Sequence, residues 1–149
     1  MKFYIINGPN LNMLGIREPD HYGKTTYSDL CTMIKDYCKE KDIEAVLYQS
    51  NHEGDLVDTI QEAYFEGADG IIINPGAYTH TSIALLDAIK STSLPTVEIH
   101  ISAVETREDF RQTSFIRKAC IKTITGEGVR GYLHAIDDLS AYLRKEISE

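Results

Sequence analysis

Short apolar runs recur along the chain, and most of them are rich in β-branched residues. Five runs are typical of β-strands: KFYIIN (2–7), EAVLYQ (44–49), DGIIIN (69–74), PTVEIH (95–100) and IKTIT (121–125). Several of these runs have too few polar residues to alternate between a core and solvent. We therefore expect strands that are buried on both faces, as in a parallel sheet.

Between the strands, apolar residues recur at helical spacing, three or four positions apart. A first stripe follows Thr26, which can cap a helix N-terminus, and a second ends near Gly67. Pro95 ends the third, Phe110 and Phe115 suggest a short fourth helix, and a fifth stripe closes the chain. The four longer stripes consist of Tyr27, Leu30, Ile34, Tyr37 and Cys38; Leu56, Ile60, Ala63 and Tyr64; Ile83, Leu86, Ala88 and Ile89; and Leu133, Ile136, Leu139 and Leu143.

The alternation of these strands and helices predicts one α/β domain spanning residues 1–149. Right-handed crossovers place the helices against both faces of a five-stranded parallel sheet. In a flavodoxin-like strand order, 2-1-3-4-5, the first, third and fourth strands are neighbours. No repeat, linker or low-complexity segment interrupts the pattern.

Net charge narrows the classes of partner. The chain has 23 acidic and 15 basic side chains, and the resulting charge of −8 repels nucleic-acid phosphates and anionic lipids. An anionic ligand therefore needs a local positive pocket. No apolar run approaches the roughly 20 residues of a membrane helix, and MKFYII is too short for a signal-peptide core. We expect a cytoplasmic protein without nucleic-acid or membrane partners, in which Cys31, Cys38 and Cys120 are buried thiols.

Polar residues collect where three of the predicted strands end. In an open parallel sheet, ligands bind beyond the carboxyl ends of the strands, at the crevice where the strand order reverses. The polar ends of the first, third and fourth strands should therefore surround one cavity. These ends carry Asn7, Asn10, Asn12, Arg17, His21 and Tyr22; Asn74, Pro75, Gly76 and His80; and Glu98, His100 and Ser102.

The end of the fourth strand gives the strongest of these signals. Because side chains alternate along a strand, Glu98, His100 and Ser102 face one way, whereas Ile99 and Ile101 face the other. A neighbouring carboxylate favours the protonated form of an imidazole and orients its ring, as a general acid requires. This pattern predicts a functional His100.

The end of the third strand allows two interpretations. Asn74-Pro75-Gly76 has the composition of an ordinary turn as well as of a binding loop. His80 fits the first turn of a helix as well as a ligand-binding position. The residues alone leave both interpretations open.

Two arginines follow the fourth strand on the predicted short helix. Arg107 and Arg111 are four residues apart, and such like-charge pairs cost a few tenths of a kcal/mol unless an anion or an acid relieves them. Glu108 and Asp109 are candidate acids, and a solvated helix face is the alternative to an anion site.

Other motifs argue against metal, nucleotide and imine chemistry. GEGVRG (126–131) matches G-x-G-x-x-G, but no further strand follows to complete a βαβ unit, so we interpret it as a tight turn into the last helix. The sequence has neither HExxH nor CxxC, and its histidines lack metal-ligand spacing. No lysine lies at the carboxyl end of an apolar strand. We therefore predict no cofactor.

Four long segments resemble, in order and spacing, the signatures of the type II 3-dehydroquinate dehydratase family. They are NGPNLNMLGIREPDHYG (7–23), INPGAYTHTS (73–82), EIHISAVETREDFR (98–111) and GEGVRGY (126–132). The resemblance covers essentially the whole chain. It implies a flavodoxin-like hydro-lyase that converts 3-dehydroquinate to 3-dehydroshikimate, in the shikimate pathway of aromatic amino acid biosynthesis or in quinate breakdown, without metal, nucleotide or imine.

The resemblance also implies catalytic roles. Tyr22 is the base that takes the proton next to the ketone, and Arg17 favours its phenolate. Asn10 holds the water that stabilises the enolate. His100 protonates the leaving hydroxyl, and Glu98 orients His100.

Further implied roles concern substrate contacts and assembly. The substrate-binding residues are Asn74, Ile101 and Ser102 for the carboxylate, His80 and Arg111 for the ring hydroxyls, and Asp87, which reaches a neighbouring subunit. The family assembles from trimers, usually into a dodecamer. Residues 15–24, which carry Arg17 and Tyr22, are expected to form a mobile lid. Ala103 and Gln112 depart from the family pattern, at positions expected to lie outside the reacting groups.

Two rival classes remain open. A flavodoxin-like FMN carrier has the same fold, but its first loop should be rich in Ser, Thr and Gly around a phosphate. A small-anion binding domain without catalysis is the other rival, and it does not require Tyr, Arg, Asn and His side chains at one end of the sheet.

Overall fold

A computed structural model describes residues 1–16 and 24–148 of the chain. In these residues the predicted strands form one parallel sheet in the order β2-β1-β3-β4-β5. The strands are β1 (Lys2–Asn7), β2 (Glu44–Gln49), β3 (Gly70–Asn74), β4 (Thr96–His100) and β5 (Lys122–Thr125). Each lies within one residue of its predicted bounds, and the predicted flavodoxin-like strand order is confirmed.

Four α-helices connect or follow the strands in the described part of the chain. They are α1 (Tyr27–Glu40), α2 (Glu53–Phe65), α3 (Ile83–Thr92) and α4 (Gly131–Ser148). The predicted cap of α1 is confirmed, because the Thr26 hydroxyl accepts from the Asp29 N–H and the Asp29 carboxylate accepts from the Thr26 N–H, both at 3.1 Å.

The predicted short helix around Phe110 and Phe115 is wrong. That segment forms the 3-10 turns Val104–Thr106, Asp109–Arg111 and Ile116–Ala119. Phe110 is 65% exposed, whereas Phe115 packs against a buried cluster, so the two rings share no apolar face. The extended backbone at Arg107 (ψ −162°) also interrupts any continuous helix.

The sheet separates two hydrophobic layers. Along β1, Phe3 and Ile5 pack on the face covered by α1 and α4, whereas Tyr4 and Ile6 pack on the face covered by α2 and α3. The central strands β3 and β4 are buried along their whole length, as their apolar sequences predict. This packing fixes the strand ends that carry the polar residues.

The cysteines are free thiols with different burial. Cys38 is buried, and burial raises its pKa to about 11. Cys31 and Cys120 are only partly buried, so the prediction of three buried thiols is wrong for these two. None of the helices in residues 1–16 and 24–148 has the length and apolar character that a membrane crossing requires.

Candidate active site

A cavity of about 110 Å³ opens at the carboxyl ends of β1, β3 and β4, where the strand order predicts a crevice. Among the predicted site residues it is lined by Asn10, Asn74, His80, His100, Ile101, Ser102 and Arg111. The rest of its wall consists of Pro9, Leu11, Leu14, Gly76, Ala77, Val104 and Arg107. The fold therefore gathers residues from three separate segments of the sequence around one small cavity.

The end of β4 provides a buried carboxylate and imidazole. Glu98 is fully buried and His100 is 4% exposed. Nε2 of His100 is hydrogen-bonded to Oε2 of Glu98, as the alternation of side chains along the strand predicts. The carboxylate thus fixes the plane of the imidazole, and the second ring nitrogen is the one that can exchange a proton with a molecule in the cavity.

Two hydroxyl groups hold the carboxylate from behind. Thr79 donates to Oε2 of Glu98 at 2.8 Å, and Ser114 donates to Oε1 and Oε2 at 3.0 and 3.1 Å. Burial raises the pKa of Glu98, but the hydrogen bonds from His100, Thr79 and Ser114 outweigh burial and leave that pKa below its ordinary value. Glu98 is therefore a carboxylate at neutral pH and can stabilise a protonated His100.

The end of β3 positions an amide in the cavity wall. Asn74 is 4% exposed, and its Oδ1 accepts from the Gly76 N–H at 3.2 Å. Its Nδ2 donates to the hydroxyl of Tyr132 at 3.0 Å. Both ends of the amide are thus fixed, and Asn74 is more than a turn residue.

His80 connects the cavity to the segment after β4. It lies in the last turn of the 3-10 helix Gly76–His80, rather than in the first turn of α3. Its Nδ1 donates to the Thr113 carbonyl at 2.6 Å, and the N–H of Phe115 donates to the Thr79 carbonyl at 2.9 Å. Burial lowers the pKa of His80, so a neutral imidazole lines the cavity at neutral pH.

Arg107 and Arg111 provide the positive charge that an anionic ligand needs in this acidic protein. The Arg107 side chain is 9% exposed, and its Nη1 lies 3.5 Å from the Ser102 hydroxyl. Nε of Arg111 lies 2.6 Å from Oε2 of Glu108, and Nε of Arg107 lies 4.0 Å from the same oxygen. Glu108 therefore relieves the like-charge pair, as the sequence indicated.

The structure corrects two expectations about these arginines. They do not belong to one helix, because Arg107 has extended backbone and Arg111 ends a separate 3-10 turn. The solvated-face alternative is wrong for Arg107, which is largely buried and lines the cavity. A hydrogen bond to its own backbone N–H and the Arg111 guanidinium hold the pKa of Glu108 below its usual value.

The loop after β1 forms the opposite part of the wall. Asn10 lines the cavity with left-handed backbone (φ 70°), and its N–H donates to Oδ1 of Asn51 at 3.0 Å. Leu11 and Leu14 are buried beside it and give this wall an apolar base. The loop is thus tied to the end of β2 and anchored in the core.

Several predicted residues lie elsewhere. Arg17, His21 and Tyr22 lie outside the described residues, as does most of the predicted lid. Asp87 is exposed on α3 and does not line the cavity of its own chain. The departures from the family pattern, Ala103 and Gln112, also lie outside the cavity wall.

Sequence reasoning missed the groups that support the site. Thr79 and Ser114 contact the Glu98 carboxylate, but they lie far from it in the sequence and carry no distinctive spacing. Tyr132 occurs at the end of the quoted GEGVRGY segment, and its position directly after a helix-starting glycine was the available signal. Among the described residues, no three His, Cys, Asp or Glu side chains are grouped so that they could hold a metal ion.

The sequence and structure are similar to those of known dehydroquinases. The family model of class II dehydroquinases matches residues 1–140. A 3-dehydroquinate dehydratase of Fusobacterium nucleatum subsp. nucleatum is 56% identical over 147 residues, which cover 97% of this chain and all of the relative. The crystal structure of a type II dehydroquinase from Butyrivibrio crossotus is 55% identical with a TM-score of 0.93, and the match covers 94% of this chain and 97% of that one.

A more distant crystal structure has the same fold. The type II dehydroquinase from Propionibacterium acnes is 35% identical with a TM-score of 0.88, and the match covers 96% of both chains. The resemblance of the four sequence segments is thereby confirmed, and this chain belongs to the class II dehydroquinase family.

Proposed function

We propose that this protein removes water from 3-dehydroquinate to give 3-dehydroshikimate. Membership in the class II dehydroquinase family supports the overall reaction. The structural observation that carries the proposal is the buried Glu98–His100 pair, whose imidazole lines a cavity that is also lined by two arginines. This arrangement suits an anionic substrate that must lose a hydroxyl group.

The proposed reaction is an elimination in two proton transfers. A base takes the proton from the carbon next to the ketone, and the C–H electron pair passes into an enolate. The enolate then re-forms the ketone as the carbon–carbon double bond forms and the C–O bond breaks. The departing hydroxyl takes a proton and leaves as water.

His100 is the proposed acid of the second transfer. Its contact with Glu98 stabilises the imidazolium and presents the remaining ring nitrogen to the cavity. Because Thr79 and Ser114 also donate to Glu98, the carboxylate keeps its charge and its position while the proton leaves His100. General acid catalysis of this kind contributes roughly 10²–10⁴-fold to a rate.

Tyr22 is the proposed base of the first transfer, with Arg17 favouring its phenolate. This assignment rests on the sequence resemblance, since both residues lie outside the described residues. Support comes from the adjacent backbone. A Cβ on Gly15 would lie 3.1 Å from the Thr25 carbonyl oxygen, so the backbones of Gly15 and Thr25 lie side by side. Gly15 directly follows Leu14, which lines the cavity. The described residues at the two ends of the predicted lid, Gly15 and Thr25, therefore lie close together beside the cavity wall, which supports the proposal of a lid there.

The remaining groups are proposed to hold the substrate and the enolate. Asn10 holds a water against the enolate oxygen, as preorganised donors commonly do. Asn74, Ile101 and Ser102 bind the carboxylate; the Ile101 side chain belongs to the core, so its contribution is from the backbone. His80 and Arg111 bind the ring hydroxyls.

We further propose a cytoplasmic assembly of trimers into a dodecamer. Asp87 is exposed on α3 and outside its own cavity, which is consistent with a contact to the site of a neighbouring subunit. Sedimentation equilibrium should give about twelve chains per particle. A monomer with full activity would contradict this part of the proposal.

The direct test is ultraviolet absorbance of the conjugated enone after the protein is mixed with 3-dehydroquinate. Tyr22→Phe should abolish the signal while the far-ultraviolet circular dichroism stays unchanged. Borohydride added with substrate should leave activity intact, because no lysine imine is expected. Undiminished turnover by Tyr22→Phe would reject the base assignment, and absence of turnover by the wild-type protein would reject the function.

A further inference from the structure

The GEGVRGY segment ends in a tyrosine that the proposed chemistry does not use. Tyr132 lies in the first turn of α4 and is completely buried among the core residues beneath the cavity. A fully buried tyrosine hydroxyl needs hydrogen-bond partners, because an unpaired buried polar group destabilises the folded state. Its two partners are the asparagines at the ends of β1 and β3.

The direction of these hydrogen bonds is defined. The Tyr132 hydroxyl donates to Oδ1 of Asn7 at 2.6 Å and therefore accepts from Nδ2 of Asn74, at 3.0 Å. Burial raises the pKa of Tyr132, so the hydroxyl keeps the proton that it donates. Asn7 and Asn74 are paired in the register of β1 and β3, and one hydroxyl thus reaches both.

A close helix–strand contact brings Tyr132 to this position. A Cβ on Gly131 would lie 2.6 Å from Cδ1 of Ile99, so any larger residue would have to displace that methyl group where α4 packs against β4. Gly126 and Gly128, with φ of 76° and 65°, make the turn that leads there. The glycines of the segment therefore allow the turn and the close packing that place Tyr132 at the strand ends.

The hydrogen bond with Tyr132 restricts the orientation of the Asn74 amide. Oδ1 of Asn74 accepts from the Gly76 N–H, and one hydrogen of Nδ2 is used by Tyr132. Because Tyr132 donates to Asn7, it cannot also donate to Asn74, and the Asn74 amide cannot flip without losing both bonds. The second Nδ2 hydrogen is then the group that Asn74 offers to a ligand of the cavity.

We propose that Tyr132 is a positioning residue of the substrate site, which fixes the Asn74 amide so that an N–H, and not a carbonyl oxygen, meets the substrate carboxylate. This role rests on the proposed function, in which Asn74 binds that carboxylate. A flipped amide would place an oxygen against an anion, and repulsion would replace the hydrogen bond. Tyr132 acts through Asn74 and does not line the cavity.

Steady-state kinetics with 3-dehydroquinate test the proposal. Tyr132→Phe should raise KM by about tenfold and change kcat by less than about threefold, as loss of a binding contact does. Tyr4→Phe is the matched control: Tyr4 is also buried and loses a hydrogen bond, to Glu62 at 2.8 Å, but it packs in the other hydrophobic layer. Its kinetics should equal those of the wild-type protein.

A double-mutant cycle separates positioning from a general structural effect. If Tyr132 acts through Asn74, the variant Tyr132→Phe/Asn74→Ala should have the same KM as Asn74→Ala alone. Multiplication of the two effects would overturn the proposal. Asn7→Ala removes the acceptor of the Tyr132 proton, and it should raise KM in the same direction. It supplies the test if Tyr132→Phe fails to fold.

The outcomes distinguish failure of the positioning role of Tyr132 from failure of the proposed dehydratase activity. If the wild-type protein and Tyr4→Phe form no enone, the proposed function fails and the positioning role fails with it. If both are active and folded Tyr132→Phe keeps the wild-type KM, only the positioning role is overturned.

Discussion

Besides the loop after β1, the cavity has one wall formed by strand ends and another formed by the loop after β4, and these two walls are held by different contacts. The strand-end wall consists of Asn74 and His100, with Glu98 behind them, and these residues are at most 4% exposed. The loop wall consists of Val104, Arg107 and Arg111. The Arg111 side chain is 22% exposed, and its partner Glu108 is 53% exposed.

This difference suits the two tasks of an elimination site. A proton-transferring group must keep its geometry within a fraction of an ångström, which buried hydrogen bonds to fixed strands provide. Residues that admit and release a substrate benefit from partly solvated contacts, whose free energies are small and readily exchanged. We therefore expect changes at His100 and at the groups that hold Glu98 to lower kcat, whereas changes in the loop wall, like changes at the carboxylate-binding Asn74, should raise KM.

Replacement of His100 should give the largest effect. His100→Ala removes the proposed acid but leaves the bonds from Thr79 and Ser114 to Glu98, so the protein should fold. We expect kcat to fall by roughly 10²–10⁴-fold in the enone assay, with a much smaller change in KM. The exposed His52, which lies outside the cavity wall, provides a control: His52→Ala should retain full activity. A fall in kcat of less than tenfold for His100→Ala would place the acid elsewhere.

Arg111→Gln should have the next largest effect, and this effect should fall on KM. Loss of a charge-assisted hydrogen bond of about 1.5–3 kcal/mol predicts a KM increase of roughly 10- to 100-fold, with kcat less affected. Arg111→Lys should recover only part of the loss, because an ammonium group lacks the planar fork of the guanidinium. Arg117→Gln is the control, since Arg117 is exposed and outside the cavity wall. A change confined to kcat would contradict the division between the walls.

Thr79→Val tests the support of the strand-end wall through pH. The substitution removes a donor to Glu98, so the pKa of Glu98 should rise and the acid limb of kcat should move to higher pH. At neutral pH we expect kcat to fall roughly threefold to tenfold. Thr59→Val, which removes a buried hydroxyl that donates to the Asp55 carbonyl within α2, should leave the pH profile unchanged.

Stability measurements provide a second readout of the same variant. Because the pKa of Glu98 is lowered on folding, its ionised form stabilises the native state at neutral pH, and this stabilisation is lost as the pH falls below about 4.5. The difference in unfolding free energy between wild type and Thr79→Val should therefore shrink in acid. A difference that stays constant with pH would mean that Thr79 contributes by packing and not through the carboxylate.

The strand-end wall was largely predictable from sequence. Apolar runs fixed the strands, and the alternation of Glu98 and His100 placed both side chains on one face of β4 because side chains along a strand repeat every two residues. The rule that ligands bind at the carboxyl ends of parallel strands then located the cavity. The hydrogen bonds from Thr79 and Ser114 to the Glu98 carboxylate could not be predicted, because these residues come together only when the chain has folded.

The loop wall was predicted poorly for a physical reason. In the segment after β4 only Phe110 and Phe115 suggested a helix, whereas the backbone forms 3-10 turns and is extended at Arg107. The spacing of Arg107 and Arg111 left an anion site and a solvated face as alternatives, and the turns, not a helix, bring both side chains to the cavity. The roles of Arg17 and Tyr22 depend on the family resemblance and remain predictions.

Gln112→Ala should give the smallest effect and tests how weakly the loop wall is held. The Gln112 amide donates to the carbonyls of Arg107, Glu108 and Val104 at 3.2, 3.4 and 3.5 Å, which are long contacts on a largely exposed side chain. At about 0.5 kcal/mol, their loss predicts a KM increase of about twofold to threefold, unchanged kcat and a fall in unfolding free energy of no more than that amount. Gln61→Ala, on the exposed face of α2, is the control. A tenfold or larger rise in KM would show that the loop wall is as rigidly determined as the strand ends, because one exposed amide would then control the position of both arginines.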